Sequence, residues 1–321
     1  MRIKTILFRF IGFAIFIYLL VWVVGVRELL RVLAAMKPAA LVAVIPFHLC
    51  QWTLRVLRWR ILLENERIHL RFSETFAVAT SGFFLGCLTP GRVGEFAKVK
   101  FLMNAGYSLR SAFLSSLIER LLDLAAVMFF VLLGILICLP LFVQSVSFYV
   151  PSILSLGMGC VLLYVLRGRM KTLIVRLIPE TIAAGMESKI DAFMDSLRII
   201  TGRQWTIILF ESLAVWVLNY WMIYLLFRGA GFSLPVHYAF AFAGLGSFAG
   251  LIPAFVYGVG IREPLLIGLF TQLNGEGDAA TAGLVFSLMF MVLLVYHIVL
   301  GLLWWLSPAM KRFLSSGRDS V

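Results

Sequence analysis

The chain has 321 residues, 62% of them hydrophobic and only 14% charged, with a mean hydropathy of +0.99 and a formal net charge of +12. A soluble globular domain is about half apolar and about a quarter charged, so this balance excludes one and leaves a polytopic α-helical membrane protein. Long runs without period-2 alternation exclude a membrane β-barrel, and the basic excess is assigned to cytoplasmic loops rather than to nucleic acid.

The N-terminus, MRIKTILFRF, begins like a signal peptide. Its apolar run is long, no small-x-small cleavage site follows, and Arg27-Glu28 come next, which predicts a retained first span over about 6–26. RELLRVLAAMK is an amphipathic connector, and a second span follows at about 40–60. The apolar segment 75–103 is split by Pro90-Gly91, and a third span is predicted over 111–139. The same order then returns: a span at 148–167, an amphipathic stretch at 171–200, a span at 204–227, a segment at 236–272 broken around Pro253, Gly258 and Gly260, and a span at 281–306. In the 171–200 stretch Leu173, Leu177, Ile182, Met186 and Ile190 share one face, the pattern of an interfacial helix. Trp304 and Trp305 are read as an interfacial belt.

Each arm of the two broken segments has roughly 10–16 residues, about 15–24 Å as helix, barely enough to pass the midplane. Both are therefore read as re-entrant hairpins. With the N-terminus inside, the cytoplasmic regions are the N-terminus, Arg55 to Arg71, Lys98 to Arg110, Arg167 to Arg203 and the tail, which together hold 21 of the 28 basic residues. Counting each hairpin as a full span would export the basic 167–203 stretch, against the charge rule. Three arginines, Arg92, Arg120 and Arg262, are left at membrane depth. The fold class is an all-α polytopic membrane protein: six full spans plus two broken re-entrant helical hairpins, in an inverted-topology repeat. The first repeat is 1–145 and the inverted second repeat 146–321, because the first half crosses the membrane an odd number of times.

The hairpins echo each other. Gly82-x-x-x-Gly86, Leu88-x-Pro90 and Gly94-Glu95 stand against Gly246-x-x-x-Gly250, Leu251-x-Pro253 and Gly260, Arg262, Glu263. One GxxxG is a weak signal of close helix packing, but two in matching places fit the transporter pattern of broken helices at a midplane site. Such breaks expose backbone groups, so they must face protein or a wet cavity. Thr89-Pro90 has the chemistry of an N-cap with Pro at the first helical position, and Arg92 would sit in the first turn. The helix N-terminus and that arginine suit an anion such as phosphate, with Gly258 to Arg262 as counterpart.

Each arginine at the bilayer centre costs at least ~2.5–3.5 kcal/mol, which points to use in binding; the plainer reading is local pairing of Arg92 with Glu95 and Arg262 with Glu263. In SLIERLLDLAAV, Glu119, Arg120 and Asp123 are three and four apart and can meet on one part of a helix. An ion cluster pinning this helix to the hairpin and a substrate contact are the two readings. Glu211 and Asn219 project from similar faces and are candidates for the same cavity. His48, His69, His237 and His297 lack metal-ligand spacing, and Cys50, Cys87, Cys138 and Cys160 are isolated packing residues, so no metal or cofactor is expected.

LTPGRVGEFAK, then NAGYSLRSAF and LIERLLDL, resembles the signature of the lysylphosphatidylglycerol synthase transmembrane region, the flippase-like half of the bacterial multiple peptide resistance factor, which also occurs as stand-alone inner-membrane proteins. IPAFVYGVGIREPLLIGLF is similar to that family's later Pro…Gly-x-Gly-x-x-Glu element. The resemblance implies a domain that moves an amphiphile between leaflets. By motif match it carries over Pro90, Gly91, Arg92, Gly94, Glu95, Lys98, Glu119, Arg120, Asp123, Gly260, Arg262 and Glu263. A soluble synthase domain is missing, so lysine transfer to phosphatidylglycerol is not expected.

The expected function is translocation of a phospholipid or polyprenyl-phosphate-linked headgroup in the bacterial cytoplasmic membrane, with both termini cytoplasmic. Arg92, Arg262 and helix N-termini would hold the phosphate; Glu95, Glu263 and Asp123 would balance them or accept a cationic headgroup. The alternative is a non-transporting partner of an envelope-lipid enzyme, and a homo-oligomer or such an enzyme is the protein partner considered. A membrane-embedded transferase or hydrolase using Glu119 and Asp123 ranks last, since no GxSxG, HExxH or aspartate-rich motif is present.

Overall fold

The computed structural model describes residues 34, 36–87, 94–142, 191–250, 257–275 and 277–316. The expected spans at 6–26 and 148–167, most of the 171–200 stretch, and the breaks at 88–93 (Pro90, Gly91, Arg92) and 251–256 (Pro253) lie outside them. Among the described residues the secondary structure is helical, without strands. In chain order the helices are α1 (Pro38–Asn65), α2 (Phe72–Cys87), α3 (Ala97–Asn104), α4 (Leu109–Phe142), α5 (Gly202–Gly229), α6 (Val236–Ala249), α7 (Arg262–Asn274), α8 (Ala279–Trp305) and α9 (Pro308–Ser316). Residues 191–199 are also helical. Four helices among them, α1, α4, α5 and α8, are long and apolar enough to cross a membrane.

Local sequence sets the ends. α1 opens on a proline, whose missing N–H costs nothing in a first turn. α5 opens on a capping box: the Gln204 N–H donates to Thr201 Oγ1, and the Gln204 side chain accepts from the Thr201 N–H. α1 runs past residue 60 to Asn65. Arg55 and Arg58, expected in a cytoplasmic stretch, are therefore buried within a membrane-length helix. α3 likewise starts at Ala97 after a 3₁₀ turn over 94–96, so Glu95 precedes this helix instead of riding in it.

α1 and α5 lie side by side and antiparallel. The Lys37 N–H donates to the Gly229 carbonyl at 3.0 Å at one end, and Gln204 Nε2 to Asn65 Oδ1 at 3.2 Å at the other. The approach is close: a Cβ on Gly229 would lie 2.3 Å from Ala40 Cβ. α2 packs on α8, and α6 packs on α4. The glycines allow this, since a Cβ on Gly134 or Gly244 would meet backbone of the facing helix at 2.9 or 2.8 Å, and one on Gly301 would meet the Thr80 carbonyl at 2.8 Å.

Two apolar clusters result, one around Phe227, Phe242, Phe270 and Phe286, the other around Trp52, Trp59, Phe76 and Phe101. Between apolar tails and apolar helices there is little hydrophobic driving force, so these rings act through packing. Trp304 and Trp305, expected as a belt, make tilted ring contacts with Phe76 and Phe101, with centroids 4.7 and 5.6 Å apart. Phe129, Ile135, Phe210, Val295 and Leu303 stay exposed, as lipid-facing residues should.

Candidate functional site

The GxxxG pair in α2 seats the charged residues beyond the first break. A Cβ on Gly86 would lie 2.1 Å from Glu95 Cγ, and one on Gly82 would lie 3.3 Å from Lys98 Cβ. Glu95 and Lys98 are thereby buried, and both reach α4: Lys98 Nζ pairs with Glu119 and sits 4.6 Å above the Trp59 ring, while Arg120 pairs with Glu95. One turn on, Asp123 takes both arginines of α1: Oδ2 accepts from Arg55 Nη1 at 3.0 Å and Oδ1 from Arg58 Nη2 at 2.7 Å. Arg58 also donates to Ser212 Oγ at 2.9 Å and lies 3.8 Å from Glu119. Arg120 stays within electrostatic reach of Asp123, as the helical spacing allows, while the Asp123 oxygens accept hydrogen bonds from α1. These ions tie α1, the hairpin and α4 together, and Glu211 on α5 is within electrostatic reach of Arg58.

The second hairpin is organised differently. Tyr257, Gly258 and Gly260 have φ of 55°, 78° and 94°, left-handed values that favour glycine. A Cβ on Gly258 would lie 2.8 Å from Gly250 N, so the backbone there leaves no room for one. The tight turn brings the Gly260 N–H to Glu263 Oε2 at 2.6 Å, in the first turn of α7. Glu263 Oε1 accepts from Ser287 Oγ at 2.5 Å, and Ser287 Oγ accepts from Arg262 Nε at 2.9 Å. Arg262 Nη2 is 3.9 Å from Glu263 Oε1, and the guanidinium lies 4.4 Å from the Phe290 ring centre. Gly246 leaves the space, since a Cβ there would be 3.3 Å from Arg262 Cδ. Local Arg262–Glu263 association is therefore largely routed through Ser287.

A small, partly open cavity of about 50 Å³ joins the two regions. Arg55 and Arg262 line it, with Asn219, Ser247, Tyr257 and His297 as further polar groups and Phe83, Trp216 and Phe290 as aromatic walls. Of the residues expected to bind substrate, Arg262 reaches this cavity. Glu95, Lys98, Glu119, Arg120 and Asp123 are engaged in the ion cluster, and Glu263 supports Arg262 from behind. Arg92 lies outside the described residues. Asn219 lines the cavity, whereas Glu211 does not.

Sequence reasoning missed Arg55, Arg58, Trp216, Ser247, Tyr257 and Ser287. A signal existed for the arginines: His48, Gln51, Arg55, Arg58 and Leu62 follow helical spacing on one buried face, and both arginines already fall within the span expected at 40–60. Among the described residues no cluster of three His, Cys, Asp or Glu side chains forms a metal site. The cavity thus offers two cations, an amide, hydroxyls and aromatic faces, a set suited to holding an anion.

A UPF0104 membrane protein of Methanothermobacter thermautotrophicus (strain Delta H) is 24% identical over 307 residues, covering 87% of each chain. No solved structure matches the chain. The family model for the lysylphosphatidylglycerol synthase TM region matches residues 9–301, and the chain belongs to that family of membrane proteins.

Proposed function

We propose that this protein is a lipid translocase of the flippase-like kind, moving a phospholipid or lipid-linked headgroup between leaflets of the bacterial cytoplasmic membrane, without enzymatic chemistry of its own. The observation that carries the reading is the cavity that Arg55 and Arg262 share, each guanidinium delivered by a different half of the chain. Buried charge is expensive in a bilayer and tends to mark a pathway.

The architecture is read as an inverted repeat of 1–145 and 146–321, with six spans, two re-entrant hairpins and both termini cytoplasmic. The antiparallel α1–α5 pair supports this, because equivalent helices of an inverted repeat run in opposite directions. The swapped packing supports it too: each hairpin's first arm, α2 or α6, rests on the last long helix of the other half, α8 or α4. In this reading the ion cluster keeps α1, α3 and α4 as one body while the halves rock about the cavity, and the lipid tails remain in the bilayer. The sequence has no P-loop, so movement is downhill or coupled to an ion or the membrane potential.

A non-transporting partner of an envelope-lipid enzyme is the second reading, favoured by the extensive internal pairing of Glu95, Lys98, Glu119 and Asp123. Proteoliposomes with a fluorescent phosphatidylglycerol and an external quencher separate the two. Translocation predicts protein-dependent loss of inner-leaflet fluorescence, slowed about 10- to 100-fold by Arg55→Gln or Arg262→Gln, in line with a lost charge-assisted hydrogen bond. No lipid movement by correctly folded wild type would sink it.

A further inference from the structure

Two guanidiniums line the cavity, and the other polar side chains on its wall among the described residues are neutral ones, Asn219, Ser247, Tyr257 and His297. Arg262 is buried; its Nε is committed to Ser287, while its buried Nη2 has no hydrogen bond among the described residues. Arg55 places Nη1 on Asp123 and also lines the cavity. Gln51 Nε2 donates to the Val215 carbonyl at 3.0 Å and to Asn219 Oδ1 at 3.1 Å, which leaves the Asn219 amino group for the cavity. Among the described residues no carboxylate lines it. Both Glu263 oxygens accept hydrogen bonds, and both Asp123 oxygens accept from arginines.

From this inventory we infer that the cavity seats a phosphodiester whose headgroup carries no cation, such as a glycerol or sugar phosphate, and that it rejects aminoacylated and choline headgroups. Two guanidiniums and an amide donor match the acceptor oxygens of a phosphodiester. An ammonium brought beside them would meet like charge with no carboxylate to receive it. Aromatic walls can hold a quaternary ammonium, but these faces already serve arginines: Arg262 lies over Phe290 at 4.4 Å, and Arg55 is 5.9 Å from the rings of Trp52, Phe83 and Trp216. The inference rests on the translocase reading for the lipid source of the ligand; the headgroup selectivity follows from the lining.

Isothermal titration of the full chain in mild detergent with dioctanoyl-phosphatidylglycerol, its lysyl ester, dioctanoyl-phosphatidylcholine and inorganic phosphate tests it. Phosphatidylglycerol should bind about 10- to 100-fold more tightly than the lysyl ester or the choline lipid, the range of a charge-assisted hydrogen bond, and Arg262→Gln should remove that binding. Asn219→Asp, nearly isosteric, should shift preference toward the lysyl ester, so the idea stays testable if the arginine variant does not fold. Equal or tighter binding of the lysyl or choline lipid, no lipid binding at all, or an Asn219→Asp variant with unchanged preference overturns it. Inorganic phosphate binding as tightly as phosphatidylglycerol overturns the lipid assignment. Selective binding without lipid movement in proteoliposomes would sink the translocase reading alone, and movement without headgroup preference would sink this inference alone.

Discussion

Arg58 Nη2 on α1 lies 2.7 Å from Asp123 Oδ1 on α4, and Asp123 gives its other oxygen to Arg55 at 3.0 Å. One carboxylate therefore bridges two guanidiniums, with Glu119 also 3.8 Å from Arg58, and Arg55 also lines the cavity. Cutting that carboxylate strands both arginines away from water. Asp123→Asn should lower stability by about 3–5 kcal/mol, the effect of leaving a buried charge unpaired, whereas Asp123→Leu combined with Arg55→Met and Arg58→Met, which removes all three ions, should lose less. Thermal unfolding in detergent checks this, and a triple variant no more stable than Asp123→Asn alone would contradict it.

Ser287 has no charge, yet it passes a hydrogen bond from Arg262 to Glu263. Ser287→Ala should leave the buried Arg262 Nε unpaired, at about 1–3 kcal/mol, and slow lipid movement in the liposome assay. Ser287→Thr keeps the hydroxyl and should retain most of the rate. Equal rates in both variants would show that the relay does not position Arg262.

Glycine positions divide by what a methyl would meet. Gly86→Ala must displace Glu95, since the new carbon falls 2.1 Å from its Cγ, and should weaken the Glu95–Arg120 pair. The expected loss is about 1–3 kcal/mol, the usual penalty of overpacking. Gly202→Ala meets nothing within 4 Å at the start of α5 and should be neutral or stabilising by up to ~1 kcal/mol. Paired melting curves decide it.

The antiparallel pairing is open to cross-linking. With the native cysteines removed, Asn65→Cys and Gln204→Cys should be bridged by a short bismaleimide reagent, because the native side-chain tips lie 3.2 Å apart. Asn65→Cys with Arg228→Cys, at opposite ends of the pair, should not. The reverse pattern on gels would mean that α1 and α5 run parallel.

Arg92 enters through sequence alone. Wild-type protein purified in mild detergent should carry an enriched anionic, phosphate-bearing lipid that Arg92→Gln loses. Lipidomics of the two preparations reads this directly, and equal lipid content would remove Arg92 from the binding residues.

Much was legible in the residues. Apolar runs fixed the long helices at α1, α4, α5 and α8, since roughly 20 apolar residues in a row have few stable fates other than a membrane helix. Pro and Gly at corresponding places marked the breaks between α2 and α3 and between α6 and α7. Glu95, Lys98, Glu119, Arg120, Asp123, Arg262 and Glu263 stood out because charge is costly at that depth. Which partner each takes was not legible. Arg120 pairs back to Glu95, and Asp123 reaches α1, some 65 residues upstream in sequence at Arg58. Periodicity reports which face a residue occupies; only the packing of distant helices decides what lies opposite. The same holds for Arg55, a basic residue near the end of an apolar run, turned inward because α1 continues to Asn65 and Asp123 meets it there.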